Sequence, residues 1–175
     1  MRRFGVLLLA GLVAACGSGS SSAPPAQAPC PRITILGDGA DVTRFRPGAP
    51  ADLASMVVDG RIAGLNATCD YIRGGGVEVK VSAIMDVERG PATPGNRAEF
   101  PWFLAVTSAD DSQLIERRDA LLLVNFPGNQ TRARVTTAQE SIIFAPGRNP
   151  AEYRIRVSFA LSPAELEANR RRGPR

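Results

Sequence analysis

The side chains that could do chemistry in this chain are three cysteines and scattered carboxylates, because the sequence contains no histidine. Without an imidazole there is no Ser-His-Asp triad, Cys-His pair or histidine zinc site, which excludes most hydrolase designs. Paired acids remain competent, as in glycosidases, which hold two carboxyl groups about 5 to 9.5 Å apart. The candidates Asp86, Glu88, Asp110 and Asp111 fall on predicted solvated strand faces or turns. We therefore expect no enzymatic activity, catalytic residue, metal or cofactor.

The first cysteine, Cys16, ends an apolar segment that follows the basic start "MRR". That segment has about a dozen residues, fewer than the roughly 20 of a membrane-spanning helix, and is typical of a secretory signal. Its last residues, Val13-Ala14-Ala15-Cys16, resemble the lipobox of bacterial lipoproteins. The resemblance implies that residues 1–15 are a signal peptide and that the Cys16 thiol carries acyl chains such as palmitate. The alternative is ordinary cleavage, which would release a soluble secreted protein.

Residues 16–29 are predicted to be a flexible linker, because they consist mainly of Gly, Ser, Ala and Pro and carry no charge. Two or more acyl chains would anchor such a chain durably to a membrane. In the lipoprotein family, Asp directly after the lipidated cysteine commonly signals retention in the inner membrane, and this chain has Gly17 there. The resemblance therefore implies a cell-envelope protein on the periplasmic face of the outer membrane.

If Cys16 is acylated, Cys30 and Cys69 are the remaining pair. In an oxidising compartment such a pair predicts a disulfide. The bond would close a loop of roughly 40 residues and stabilise the fold by about 4 kcal/mol. The alternatives are two free thiols or a metal site in which both cysteines are ligands, although two cysteines without histidine make a poor metal site.

Alternating apolar and polar residues predict that most of the chain folds as β-strands. The clearest alternation is at 77–88, "VEVKVSAIMDVE", and it recurs at 152–161, "EYRIRVSFAL". Turn sequences such as "RGGG", "SADDS" and "PGRNP" separate the candidates. The other predicted strands are 32–36, 54–62, 102–107, 114–126 and 132–144.

This spacing predicts an all-β fold, an antiparallel immunoglobulin-like β-sandwich of about seven strands with a short C-terminal helix. The sandwich domain would span residues 30–162, and the helix with a basic tail would span 163–175. Ser162, Pro163 and Glu165 form a helix-start signature with a capping box. The helix could cover a sheet edge or an open end of the sandwich, or bind a partner.

The charge of the chain does not indicate a nucleic-acid partner. The net charge is +4, and removing residues 1–15 with their two arginines lowers it by two. Basic residues are scattered along strands, apart from the cluster at 169–175, "NRRRGPR". A solvated, disordered end is the expected state of that cluster, with contact to anionic lipid or peptidoglycan as the alternative.

Trp102 and Phe103 are the candidate partner-binding residues, because neighbouring side chains on a strand point to opposite faces. One of the two must lie outside a single-sided core. It would anchor a ligand or partner if exposed, or it would be buried under the 90–96 loop.

The order of lipobox, linker, "CPRITILGD" strand, β domain and "LSPAELEANR" ending looks like a short bacterial lipoprotein, a resemblance from which no activity is carried over. Three functions remain open. The chain could be a structural or adaptor module that binds an envelope protein, a carrier of a small or lipidic ligand between the sheets, or a carboxylate-based enzyme on cell-wall glycan. The adaptor fits the missing catalytic groups best, and the sequence leaves the oligomeric state undetermined.

Overall fold

The computed structural model describes residues 28–173 as two packed β-sheets and a short C-terminal helix. The predicted signal peptide, the lipobox with Cys16 and nearly all of the predicted linker lie outside the described residues. The elements of the described part are β1 (Arg32–Ile35), β2 (Asp41–Phe45), β3 (Met56–Tyr71), β4 (Val77–Arg89), β5 (Arg97–Ser108), β6 (Leu114–Asn125), β7 (Arg132–Thr136), β8 (Glu140–Phe144), β9 (Tyr153–Phe159) and α1 (Pro163–Arg172).

The strands form two sheets in which the first and last strands of the chain are neighbours. Sheet 1 has the order β1-β9-β5-β6, and sheet 2 has the order β2-β3-β4 with both β7 and β8 paired to β4. β1 runs parallel to β9, while the other strand pairs are antiparallel. The prediction of a purely antiparallel sandwich is therefore wrong for β1. Period-2 patterning indicates which face of a strand is buried. It does not indicate which strand lies beside it or whether the two run parallel or antiparallel.

The apolar faces of the strands fill the space between the sheets, as the alternation predicts. The inward face of β4 is at most 3% exposed at every position. Phe100, Trp102, Phe126 and Phe159 supply the largest side chains of the same core. Fully burying one such side chain contributes about 1.5–3 kcal/mol, so this core is what holds the two sheets together. The β4 residues are Val77, Val79, Val81, Ala83, Met85 and Val87.

The structure has nine strands in its described part, where the sequence predicts about seven. β2 was not predicted. The predicted strand at 132–144 is divided into β7 and β8, because Thr137 bonds to β4 outside the regular ladder. The Thr137 N–H donates to the Ala83 carbonyl at 2.9 Å, and the Ala83 N–H donates to Thr137 Oγ1 at 3.0 Å.

The C-terminal helix begins at the predicted cap. The Glu165 N–H donates to Ser162 Oγ at 3.2 Å, and the Ser162 N–H donates to Glu165 Oε2 at 2.6 Å. The helix continues through Arg172, and Asn169 donates to the carbonyl oxygens of Asp38 and Asp41, both at 2.8 Å. The prediction of a disordered tail is therefore wrong for residues 169–172, because this segment is helical and Asn169 binds the backbone at Asp38 and at the start of β2.

Cys30 and Cys69 form a disulfide with their Cα atoms 5.7 Å apart, which confirms the predicted pair. Cys30 precedes β1 of sheet 1, and Cys69 lies near the end of β3 in sheet 2. The bond therefore ties the first described residues, which lead into one sheet, directly to the other sheet.

Candidate functional site

Trp102 and Phe103 point to opposite faces of β5, as the sequence predicts, and this decides which of them can meet a partner. Trp102 lies in the core between the sheets and is 2% exposed. Its proposed role in partner binding is wrong, because the core packing closes it off from the surface. Phe103 lies on the outer face of sheet 1, where it is half-buried.

Phe103 forms part of a surface groove between the outer face of sheet 1 and helix α1. The groove encloses about 450 Å³. Phe103 and Ser158 line it from the sheet, and Leu166 and Arg170 line it from the helix, which we call the helix wall. We refer to this feature as the Phe103 groove and define it by the side chains of Leu36, Phe103, Arg117, Leu161, Leu166 and Arg170.

One side of the Phe103 groove is held by an arginine that stacks on the aromatic ring. The guanidinium carbon of Arg117 lies 3.9 Å from the centre of the Phe103 ring, which is a cation–π contact. Two nitrogens of the same guanidinium donate to Asp119, at 2.7 and 3.0 Å. Because both partners restrain Arg117, its planar group is held in a defined position over the Phe103 ring.

The opposite wall is positioned by contacts between α1 and a 3₁₀ helix, Gly37–Gly39, that follows β1. Arg170 pairs with Asp38 at 2.9 Å. A Cβ atom at Gly39 would lie only 1.8 Å from Ser158 Oγ, so this close approach requires glycine. The 3₁₀ helix is thereby pressed against β9, and α1 is bound to the 3₁₀ helix.

The chemistry of the Phe103 groove suits a protein side chain better than a reaction. Its lining combines the apolar side chains of Phe103, Leu161 and Leu166 with the guanidinium groups of Arg117 and Arg170 and with Asp38, which pairs with Arg170. Apolar and polar groups occur together in protein interfaces, where aromatic residues and arginine are enriched.

The carboxylates that the sequence nominates for catalysis do not lie in the Phe103 groove. Asp110 and Asp111 occupy the turn between β5 and β6. Hydrogen bonds from the Ser108 hydroxyl and from Ser112 lower the pKa of Asp110 from 3.8 to about 2. Hydrogen bonds from Arg156 and Thr107 hold the pKa of Asp111 well below its usual range. Both groups are therefore ionised at neutral pH, whereas a general acid needs a raised pKa.

Asp86 and Glu88 lie on the outer face of sheet 2, where they pair with arginines of the neighbouring strand β7. Arg134 donates to Asp86 at 2.6 and 2.7 Å, and Arg132 donates to Glu88 at 2.8 Å. The hydrogen bond from Arg134 lowers the pKa of Asp86. A surface depression of about 580 Å³ covers this region. It is larger than the Phe103 groove, but the charged side chains at its base bond to each other, as expected for a ladder that stabilises a sheet.

Sequence reasoning missed most of the Phe103 groove. It singled out Phe103, and Arg170 as part of the basic cluster 169–175, but it did not bring either of them together with Arg117 or Leu161, because nothing in the spacing of these residues along the chain does so. The one available signal was the helix, since a helix that returns to a sheet must lay some side chains against it. Among residues 28–173, no group of three potential metal-ligating side chains is clustered.

None of the helices in the described part of the chain combines the length and apolar character that crossing a membrane requires. The predicted lipid anchor at Cys16 stands outside the described residues, so it remains a prediction. In comparisons with known proteins, no protein-family model matches this chain and no curated protein matches its sequence.

Proposed function

We propose that this protein is a membrane-tethered periplasmic lipoprotein that acts as a structural or adaptor module and binds an envelope protein through the Phe103 groove. The observation that carries the proposal is the half-buried Phe103 on the outer face of a sheet, bordered by Arg117 at 3.9 Å and by the helix wall. An apolar side chain of a partner would enter beside the ring. Carbonyl or carboxylate groups of the partner would then accept hydrogen bonds from the guanidinium groups of the groove.

The tether is part of the proposal and rests on the lipobox residues Val13-Ala14-Ala15-Cys16. Acyl chains on Cys16 would hold the domain at the bilayer, and the uncharged linker that follows would let it reach a partner nearby. We place the protein on the periplasmic face of the outer membrane, because Gly17 occupies the position where Asp signals inner-membrane retention in the family it resembles.

The immunoglobulin-like class belongs to the same proposal. It is supported by two β-sheets that pack across one apolar core. The adjacency of β2, β3 and β4 in one sheet differs from the strand order of constant immunoglobulin domains. A sandwich with this variation still presents its sheet faces and strand edges to partners.

The packing between the sheets weighs against the carrier function, because Phe100, Trp102 and Phe126 fill the space that a ligand would need. The ionised state of Asp110 and Asp111 weighs against a glycan-cleaving enzyme, because one of its two acids must donate a proton. Neither alternative has a specific observation in its favour.

A photo-crosslinking experiment in intact cells tests the Phe103 groove. A phenylalanine analogue with a photoreactive group replaces Phe103, and the same analogue replaces Ile143 in the matched control. Ile143 is 63% exposed on the other sheet. We expect one discrete protein adduct from position 103, its loss when Leu166→Asp is added, and no such adduct from position 143. Equal adducts at both positions, or no adduct at 103, would contradict the proposal.

The anchor is tested in the same cells with Cys16→Ala, which removes the thiol that would be acylated. We expect the wild-type amino-terminal peptide to carry the mass of acyl chains and the variant to lack it. An unmodified Cys16 in the wild-type protein would remove the tether from the proposal and leave the Phe103 groove untouched.

A further inference from the structure

The edge strands of the two sheets differ in their length and in how they are protected from pairing with another chain. β1 has 4 residues, and β2 has 5 and lies beside α1. β7 and β8 have 5 residues each and are separated at 137–139. β6 has 12 continuous residues, and β5 is its one strand partner in the described part of the chain. Natural proteins shorten, interrupt, cover or charge their edges to prevent pairing with other chains. β6 is long and continuous, although its ladder with β5 shifts register near Leu114 and its middle carries the charged residues 116–119.

The β6 edge also collects exposed apolar side chains. Of the eight large hydrophobic residues exposed in the described part of the chain, four lie on this strand. Isolated exposed apolar residues are ordinary, but a row of them along a long unpaired edge marks an interaction surface. Their exposures are 59% for Leu114, 44% for Ile115, 52% for Leu121 and 49% for Leu123.

Arg117 and Asp119 of β6 pair with each other within the chain, and a second copy of the same strand would place each of them beside an opposite charge as well. On the outer face of sheet 1, β6 carries Arg117, Asp119 and Leu121, and the exposed Ile115 precedes them at the register shift of the β5–β6 ladder. When two such strands run antiparallel about Arg118, each Ile115 lies opposite a Leu121, and each Arg117 lies opposite an Asp119. The centre of the seam is then two ion pairs, and apolar pairs lie on both sides.

We propose that this protein forms a homodimer by antiparallel pairing of β6 with β6 of a second copy, centred on Arg118. The pairing joins the two copies of sheet 1 into one continuous eight-stranded sheet. A two-fold axis through Arg118 satisfies the unpaired backbone groups of both edges at once, as a self-complementary interface requires.

The inward face of β6 is compatible with this register. Glu116 of one copy lies opposite Ala120 of the other, so no like charges meet at these positions. At the two-fold axis, Arg118 of one copy would lie opposite Arg118 of the other. Each Arg118 is already paired with Glu116 of its own chain at 2.5 Å and donates to the Ser141 carbonyl. Each guanidinium is therefore neutralised within its own chain.

Neighbouring registers match less well. Centring on Arg117 or Asp119 would place identical charges opposite each other on the outer face, and centring on Ala120 would place Arg117 opposite Leu123. Centring on Leu122 pairs apolar residues but uses only the second half of the strand. The Arg118 register pairs the longer part of β6 and both of its outer-face charges, so charge complementarity selects it.

The dimer has a consequence for the Phe103 groove, although the inference does not depend on a partner in that groove. Phe103 lies on β5, next to the seam, so the two grooves would lie on the same face of the joined sheet. The two copies of β5 would be separated by three strand spacings, or about 14 Å. A dimer would therefore present two equivalent grooves side by side and bind a repeated partner with avidity.

Site-specific disulfide formation in intact envelopes tests the register. Arg118→Cys places a thiol on the two-fold axis, where opposite Cα atoms in a sheet are about 4.5 to 5.5 Å apart, within disulfide range. We expect this variant to form covalent dimers under mild oxidation and the exposed control Ile143→Cys to form none. Covalent dimers of Leu122→Cys without those of Arg118→Cys would overturn the Arg118 register. Disulfide-linked adducts of Arg118→Cys with a different protein would overturn self-pairing.

Charge reversal provides a second test that does not depend on a new thiol. The mature protein is purified in detergent, and its protein mass is measured by light scattering. Asp119→Arg would set arginine against Arg117 of the second copy, so we expect the dimer to dissociate about tenfold more readily or further. Adding Arg117→Asp reverses both charges, and dimerisation should recover. A monomeric wild-type protein, or a double variant no better than the single one, would refute the inference.

Discussion

Adjacent side chains on β5 have opposite environments, because successive residues of a strand face opposite sides of the sheet. Trp102 is surrounded by the core between the sheets, whereas Phe103 lies on the outer face under Arg117 and lines a groove with the helix. The two aromatic residues therefore contribute to different properties of the molecule, Trp102 to stability and Phe103 to recognition.

We expect Trp102→Ala to lower the free energy of unfolding by about 3–5 kcal/mol, because it leaves a large cavity in the core. Phe103→Ala should lower it by about 1 kcal/mol or less, since it removes one cation–π contact and a half-buried ring. Urea unfolding followed by tryptophan fluorescence measures Phe103→Ala, and circular dichroism measures both variants. Equal losses would show that Phe103 is a core residue and would count against its role in the groove.

At the level of elements, the turn between β5 and β6 is fastened to the neighbouring strand β9. Arg154 donates to Asp111 at 2.9 Å, and Arg156 binds the same carboxylate through two of its nitrogens. Asp111 has a φ of 60°, so the turn is held in a conformation that most residues avoid. Since β6 starts directly after this turn, the ion cluster positions the beginning of the proposed dimer edge.

The depressed pKa values of Asp110 and Asp111 give this turn a defined pH dependence. A carboxyl group whose pKa is lower in the folded state stabilises the protein above its unfolded pKa of 3.8, and this stability is lost as the pH falls toward the folded value, about 2 for Asp110. We expect the free energy of unfolding to decrease from about pH 4 downward. The Asp110→Asn/Asp111→Asn double variant should be less stable at pH 7 and should lose less on acidification. Denaturant titrations at pH 7, 4 and 3 measure this, and parallel decreases would contradict the assignment.

For the whole molecule, the disulfide and the C-terminal helix fasten the two ends of the domain. Cys30 is bonded across 39 positions to Cys69, close to where the predicted linker ends. At the other end, Arg44 of β2 pairs with Glu165 at 2.8 Å and donates to the Ala160 carbonyl at 2.9 Å. If the domain is tethered by lipid, a force on the tether would act on the domain at Cys30. The disulfide would transmit this force to Cys69 in β3 of sheet 2.

We expect the Cys30→Ala/Cys69→Ala double variant to lose about 4 kcal/mol of unfolding free energy, because an open loop of this length gains entropy when unfolded. The Phe103 groove lies on other elements, so the photo-crosslink from position 103 should persist wherever the variant is folded. Denaturant unfolding of the oxidised wild type, the reduced wild type and the variant measures the effect. A reduced wild type as stable as the oxidised protein would contradict it.

Much of the fold was predictable because it depends on local periodicity. The inward face of β4, the turn at "RGGG", the helix start at Ser162 and the Cys30–Cys69 pair were all predicted correctly. The first three depend on residues close in sequence. The disulfide depends on the number of cysteines, because two remain when Cys16 is assigned to acylation. The short β2 and the break between β7 and β8 were missed, because both depend on hydrogen bonds to residues of β3 or β4, outside their own segments.

The sequence by itself determined a chain of alternating strands with a capped C-terminal helix and a single cysteine pair in its sandwich domain, since these features follow from residue types and their local spacing. Only the tertiary structure decided that Trp102 is inside and Phe103 outside, that α1 and sheet 1 form a groove, and that β6 is an edge strand among the described residues. The physical reason is that burial and strand neighbours are set by which faces pack together across the whole molecule. That packing joins residues more than a hundred positions apart.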